Sequence, residues 1–272
     1  MEGKITWIFD AESTLFATEG LTELAKLFLN GYPGAVDILG KIEQVCIRGM
    51  EGKIPFNESL KERMALIQAN REHVEELAEL FKKSFAPSVW KNRDFFARNA
   101  ERIYVVSGGF VDFLEPALLM LGILPENIFA NTFRFDSVGK IIGLDEDNPL
   151  TREGGKIQVV NSLNFEEEVI IVGDGVSEAR VKKAGLAQEF WVFTEVIVNK
   201  NAIELADKRV DNFGEIVLFD AMNRRNCCIE ATEKAGRQGV TCTDCFHCGA
   251  NLRGEGYNWE KTGQIICSAT CV

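Results

Sequence analysis

Apolar residues follow two rhythms along this chain. Ile5, Trp7, Ile8 and Phe9 make a short run without a charge inside it, the pattern of a buried strand. Asp10 ends the run, and a second acid, Glu12, follows two residues later. From residue 20 to 86 the rhythm becomes helical. Ile38, Leu39, Ile42, Val45 and Cys46 form one stripe, Leu60, Met64 and Ile67 another, and Val74, Leu77, Ala78, Phe81 and Phe85 a third. Core packing accounts for all three. An all-helical block directly after a first strand reads as an insertion lying over that strand's tip.

Alternation begins beyond it. Residues 103–106 predict a strand ending in Ser107-Gly108-Gly109, and 110–121 predict a helix, against which Pro116 is a mild objection. Residues 128–133 read as extended, 135–141 as a hairpin turning near Gly139, and 156–163 as a helix. A strand over 169–172 ends in Gly173-Asp174-Gly175 and leads into a helix, and 191–193 form one more strand. Alternating strands and helices imply an α/β fold, a mostly parallel sheet covered on both faces. From Asn223 the composition shifts toward Arg, Asn, Gly and Cys, which places a linker over 223–239 and a small module over 240–272.

In an open α/β sheet the carboxyl ends of the strands line the ligand crevice. Three of the predicted strands end in chemically useful groups: Asp10 with Glu12, Ser107 before two glycines, and Asp174 between two glycines. Lys156 opens a helix shortly before the third. These are the parts that phosphoryl transfer needs. A carboxylate can attack phosphorus while a second moves a proton. Mg²⁺ takes oxygen ligands and bridges carboxylates to phosphate. A hydroxyl with exposed backbone N–H groups can hold phosphoryl oxygens, and a lysine can neutralise their charge. Each part alone reads as a turn, a loop or a solvated side chain; their order, each at a strand end, carries the argument.

In that order, Asp-x-x-x-Thr after the first strand, Ser-Gly-Gly, Lys and Gly-Asp-Gly resemble the haloacid dehalogenase-like phosphatase superfamily. Residues 50–63, Met-Glu-Gly-Lys-Ile-Pro-Phe-Asn-Glu-Ser-Leu-Lys-Glu-Arg, and residues 105–110, Val-Val-Ser-Gly-Gly-Phe, are similar to the phosphoserine phosphatase branch. The resemblance covers roughly residues 4 to 220. It implies a Rossmann-like three-layer α/β/α core over 1–16 and 88–222, with a helical cap over 17–87. It implies Asp10 as nucleophile, Glu12 as general acid and then base, and Mg²⁺ bound by Asp10, Asp174 and the backbone carbonyl of Glu12. Ser107, Gly108 and Lys156 would hold the phosphoryl group, with Ser177 as a further hydrogen-bond donor. Glu19 would receive the ammonium of a small phosphorylated amino acid and Arg63 its carboxylate, with Met50 and Phe56 as a lid. Bidentate pairing of Arg with a carboxylate suits that assignment.

Two departures from the family pattern stand out. Glu12 replaces an Asp, which moves the carboxyl by about 1.5 Å. Ser177-Glu178 replaces Asn-Asp or Thr-Asp beside the expected metal. Hydrolysis of phosphoserine or a similar small phosphorylated amino acid is therefore the leading expectation. Transfer to another alcohol, or a regulatory protein that only binds a phosphorylated ligand, are the alternatives.

Charge and cysteines complete the picture. A net charge of −11 over 272 residues argues against general binding to nucleic acid or an anionic membrane, both polyanions. The longest apolar stretch, near 118–124, is broken by Gly122 and too short to span a bilayer. No signal-peptide pattern follows Met1, so the cytoplasm is the expected compartment. Of eight cysteines, five fall within 242–271. Cys245-x-x-Cys248-Gly249 reads as a metal knuckle, and Cys267-x-x-x-Cys271 places two thiols one helical turn apart. Together these four predict a structural Zn²⁺ site, with Cys242 a spare that could replace Cys245, because about 30 residues fold poorly on apolar burial alone. A protein contact or an intramolecular prop is the expected role of that module.

Overall fold

A computed structural model of the protein describes residues 5–50 and 53–223. The linker and the cysteine-rich module, with Cys245, Cys248, Cys267 and Cys271, lie outside the described residues.

The first apolar run forms β1 (Ile5–Phe9), buried at all five positions because it lies at the centre of a sheet. It pairs in parallel with β2 (Ile103–Phe110) on one side and β6 (Glu168–Gly173) on the other. Outside β2 lies β3 (Ile128–Asn131). Outside β6 come β7 (Glu189–Phe193) and β8 (Lys208–Val210), so the order is β3-β2-β1-β6-β7-β8, all parallel. A short antiparallel hairpin, β4 (Phe133–Phe135) and β5 (Ile141–Leu144), turns through Gly139, whose φ of 83° is costly for a side chain with a Cβ.

Strand alternation sends Trp7 and Phe9 to one face of the sheet and Ile8 to the other. Trp7 and Phe9 join a core completed by α6 (Asp94–Arg98), α7 (Val111–Leu118) and the helix over 214–223, through Phe96, Phe113 and Ile216. Ile8 and Ile171 join a second core with α8 (Gly155–Leu163), α9 (Val176–Lys183) and α10 (Lys200–Leu205), through Val160, Val181 and Ala202. The result is the expected three layers.

The helical block holds α1 (Gly20–Phe28), α2 (Ala35–Met50), α3 (Phe56–Leu66) and α4 (Arg71–Phe81), and the chain re-enters the core through α5 (Pro87–Lys91). Its entry and exit run side by side: Ala17 N donates to Ser84 O at 2.7 Å and Ala86 N to Leu15 O at 2.9 Å. His73, which reads as a surface helix residue in sequence, is half-buried. Its Nδ1 accepts from Asn70 N while Asn70 Oδ1 accepts from His73 N, a reciprocal cap at the start of α4.

Two boundaries differ from the sequence pattern. β2 does not stop at Val106 but runs through both glycines to Phe110, because its register with β3 shifts between Val106 and Phe110 and lets that stretch bulge. The helix over 110–121 begins at Val111 and relaxes to a 3₁₀ turn after Leu118. Pro116 stays inside it at the cost of one i→i−4 bond.

Candidate active site

β6, β1 and β2 are neighbours, so their carboxyl ends bring Asp174, Asp10 and Ser107-Gly108-Gly109 to one place. Asp10 N donates to Val172 O at 2.9 Å, which extends the β1–β6 ladder to the first acid. Thr14 Oγ1 donates to Asp174 Oδ1 at 3.4 Å. Between Asp10 and Thr14 the chain turns sharply at Ser13, a non-glycine residue held at φ 55°.

Lys156 enters from the first turn of α8. The helix can begin there because residue 155 lacks a side chain: a Cβ on Gly155 would sit 2.0 Å from Pro149 O. Lys156 Nζ donates to Asp10 Oδ1 at 2.7 Å and to Glu178 Oε1. Glu178 is 1% exposed and reaches back to accept from Gly175 N at 3.2 Å and from Ser177 Oγ at 2.8 Å.

The electrostatics follow from five carboxyls crowded into a poorly hydrated space. Burial pushes Asp10 up to about 6, against the pull of Lys156. Burial and then the charge of Glu19 push Glu12 up to about 8. Burial also raises Glu19, opposed by its bond from Ser13 and by Arg63. Asp174 is held well above the usual carboxylate range by burial, then by the charges of Asp10 and Glu178. Glu178 is the exception: burial opposes its ionisation, but the charge and hydrogen bond of Lys156 hold it below the ordinary value. The lysine is itself raised, since Asp10 and Glu178 outweigh its desolvation.

Over these strand ends lies a cavity of about 710 Å³. Its core side carries Asp10, Ser107, Gly108, Lys156, Asp174 and Ser177; Glu12, Glu19, Phe56 and Arg63 line the same cavity. Glu12 Oε1 accepts from Gly20 N at the start of α1. Its longer side chain finds room because Gly20 and Gly109 have no Cβ: one on Gly109 would lie 2.6 Å from Glu12 Oε2. Glu19 Oε1 accepts from Ser13 Oγ at 2.6 Å. Arg63 is buried, with Nε donating to Ser59 O at 3.3 Å. The Phe56 ring sits over Gly108, where a Cβ would meet Phe56 Cζ at 3.0 Å. Met50 ends α2; its side chain lies outside the described residues.

Ser177 lines the cavity, and its Oγ is the donor to Glu178 Oε1. Sequence reasoning did not single out Glu153 and Arg180, which line the cavity and pair with each other. Glu153 Oε2 also accepts from Phe56 N at 3.4 Å, supplying the carboxylate that Pro55, at the N-cap of α3, does not. Nothing short of the tertiary fold signals that contact.

Asp10 and Asp174 suit a hard divalent cation. Asp174 is buried and Asp10 nearly so, and Lys156 compensates Asp10 and Glu178 while Asp174 accepts from the hydroxyl of Thr14. Among the described residues no three His, Cys, Asp or Glu side chains converge as a ready-made metal site. Two carboxylates completed by a backbone carbonyl and substrate oxygens need no third.

No protein-family model matches the chain. It is 34% identical over 215 residues to human phosphoserine phosphatase, covering 77% of this chain and 90% of that protein. It is 30% identical over 213 residues to the chloroplastic phosphoserine phosphatase of Arabidopsis thaliana, covering 77% and 69%. Among solved structures it is similar to a phosphoserine phosphohydrolase-like protein of Francisella tularensis, with a TM-score of 0.71 and 26% identity over 79% of this chain and 99% of that one. The fold, the strand-end acids and these relatives agree: the chain is a phosphatase of the haloacid dehalogenase-like phosphoserine phosphatase family.

Proposed function

We propose that the chain hydrolyses phosphoserine, or a similarly small phosphorylated amino acid, through an aspartyl-phosphate on Asp10, with Mg²⁺. One observation carries the substrate assignment. The cavity that holds Asp10, Lys156 and Ser107 also holds Glu19 and Arg63, one partner for each charged group of phosphoserine. The relatives named above support the same substrate.

In this reading Asp10 attacks phosphorus, and the bond from phosphorus to the serine oxygen breaks. Glu12 gives its proton to that departing oxygen. It then takes one from water, whose oxygen attacks the phosphorus and breaks the bond to Asp10, releasing phosphate. Lys156 offsets charge on the nucleophile and phosphoryl oxygens, and Ser107 and Gly108 hold those oxygens. Asp10, Asp174 and the carbonyl of Glu12 would hold Mg²⁺, which when bound supplies charge stabilisation for the phosphoryl group. Phe56 lines the cavity on its cap side, and Met50 would join it as a lid over the substrate. Residues 17–87 act as a cap domain on the core, a division supported by the paired entry and exit segments at Leu15–Ala17 and Ser84–Ala86.

Phosphate release from a panel of phosphomonoesters, with Mg²⁺ and with EDTA, tests the reading. Phosphoserine should be the preferred substrate, EDTA should abolish release, and Asp10→Asn should be inactive. Transfer of the phosphoryl group to an added alcohol, or binding without turnover, would favour the alternatives instead.

A further inference from the structure

Asn131 closes β3 with no exposed surface, and its side chain spans a gap in the sheet. Its Nδ2 donates to Gly108 O at 2.9 Å and to Leu150 O at 3.4 Å. Both neighbours are carbonyls, which fixes the orientation of the amide. Among the described residues Oδ1 is buried without a hydrogen-bond partner. A residue that only filled space would avoid that cost, since buried polar atoms are nearly always paired.

The bond to Gly108 lies where the β2–β3 ladder is interrupted. Val106 pairs with Phe129 and Phe110 with Asn131, and the residues between bulge. A bulged Ser-Gly-Gly stretch lacks its ladder bonds and would be free to turn its peptide planes. In a trans peptide the C=O and the following N–H point in opposite directions. Pinning Gly108 O toward Asn131 therefore aims Gly109 N–H the other way, where it donates to Ser107 Oγ at 3.1 Å. With a lone pair of Ser107 so occupied, its hydroxyl proton is left to point into the cavity.

The second bond reaches the other phosphate-binding stretch. Leu150 belongs to a turn that Asn148 organises: Asn148 Nδ2 donates to Ala130 O at 2.8 Å and its Oδ1 accepts from Leu150 N at 2.9 Å. Gly155 packs against Pro149 of that turn, and Lys156 follows. The end of β3 thus ties the bulge carrying Ser107 to the segment carrying Lys156.

We propose that Asn131 is a positioning residue for phosphoryl binding: it holds the Gly108 carbonyl, and through the Gly109 N–H the Ser107 hydroxyl, so that Ser107 and Gly108 present a preformed cradle in register with Lys156. This rests on the reading of Ser107 and Gly108 as the groups that hold the phosphoryl oxygens. A preformed cradle stabilises developing charge without reorganising during the reaction.

Inorganic phosphate is the probe, as a competitive inhibitor of aryl phosphate hydrolysis, and L-serine is the probe of the cap side, as an inhibitor of phosphoserine hydrolysis. Asn131→Asp keeps the shape but turns the donor into an acceptor facing two carbonyls; Asn131→Ser shortens it. Both should raise the phosphate inhibition constant about tenfold or more and lower kcat by a similar factor, with L-serine inhibition unchanged within about twofold. Ser107→Ala is the reference. If it leaves phosphate inhibition unchanged, the cradle is misplaced and the proposal falls with that reading. If it weakens phosphate while both Asn131 variants behave as wild type, the proposal alone falls. Equal losses for phosphate and serine would mean a loosened fold and would also overturn it. Should neither variant fold, the wild-type protein decides by NMR: on adding phosphate the Gly108 amide should shift while the Gly108 carbonyl carbon stays in place. A carbonyl that shifts as much as the amide is not held, and the idea is wrong.

Discussion

Lys156 Nζ stands 2.7 Å from Asp10 Oδ1 and donates at the same time to Glu178, a largely buried ammonium shared by a carboxylate at the end of β1 and one in the first turn of α9. The lysine is thus both an electrostatic partner of Asp10, the proposed nucleophile, and a structural tie between β1, α8 and α9.

Those two roles separate by substitution. Lys156→Met removes the charge beside Asp10 and should lower kcat by about 10² to 10³. Glu178→Gln leaves Asp10 paired but removes one half of a buried ion pair, and should cost about 3 kcal/mol of stability. Urea denaturation beside steady-state kinetics checks both. Glu178→Gln with unchanged stability would mean that the second bond of Lys156 holds nothing.

A second prediction concerns residue 12. Its carboxyl is held between Gly20 N and the space left by Gly109. Glu12→Gln preserves those contacts and removes the proton, so kcat should fall by about 10² to 10⁴. Glu12→Asp withdraws the carboxyl by about 1.5 Å but keeps the acid, and should retain most activity. Wild-type turnover in Glu12→Gln would remove this residue from proton transfer.

Much of this site is legible in the sequence because its parts are local. β1 is an unbroken apolar run, and Asp10 and Asp174 each follow such a run, so the strand ends announce themselves. Glycine misled at β2, where it reads as the end of a strand while the bulge carries the strand on to Phe110. β8 is a three-residue edge strand with Lys208 and Arg209 in it, too short and too charged to signal burial. Asn131, Glu153 and Arg180 carry no local pattern; each matters through a partner at least 19 residues away.

Glycine at 155 yields a sharper structural test. An added Cβ would meet backbone, Pro149 O at 2.0 Å and Pro149 C at 2.6 Å, which cannot swing aside. Gly155→Ala should therefore cost about 1–3 kcal/mol and lower kcat by displacing Lys156. Gly185→Ala is the control. Position 185 has φ 78° with open space around its missing Cβ, so the cost should be about 1–2 kcal/mol with kcat unchanged. Melting curves and kinetics on both proteins distinguish strain that reaches the site from strain that does not.

The cysteine spacing motivates a prediction beyond the described residues. Four thiolates close a tetrahedral zinc site and leave no position for water. Metal analysis should find about one zinc per full chain, none in a chain ended at Asn226, and less in Cys267→Ser. An unchanged zinc content in Cys267→Ser would refute the ligand set.

The cap side of the cavity carries the prediction about substrate choice. Ser13 fixes Glu19 through a 2.6 Å bond and Ser59 O fixes Arg63 through its Nε, so both charges are held before any ligand arrives. Their separation from the phosphoryl-binding groups matters more than their number. On the proposed reading, a ligand with only a phosphoryl group would engage Lys156 and Ser107 alone, whereas phosphoserine would also engage Glu19 and Arg63. Arg63→Lys keeps charge but loses the fork, and Glu19→Gln keeps the hydrogen bond but loses charge. Each should raise KM for phosphoserine by about 10- to 100-fold, since hydrogen bonds to charged groups contribute about 1.5–3 kcal/mol. Aryl phosphate hydrolysis should change by less than about threefold. Equal losses for both substrates would show that these residues shape the cavity rather than read the amino-acid end, and the substrate assignment would have to be given up while the phosphatase chemistry at Asp10 stood.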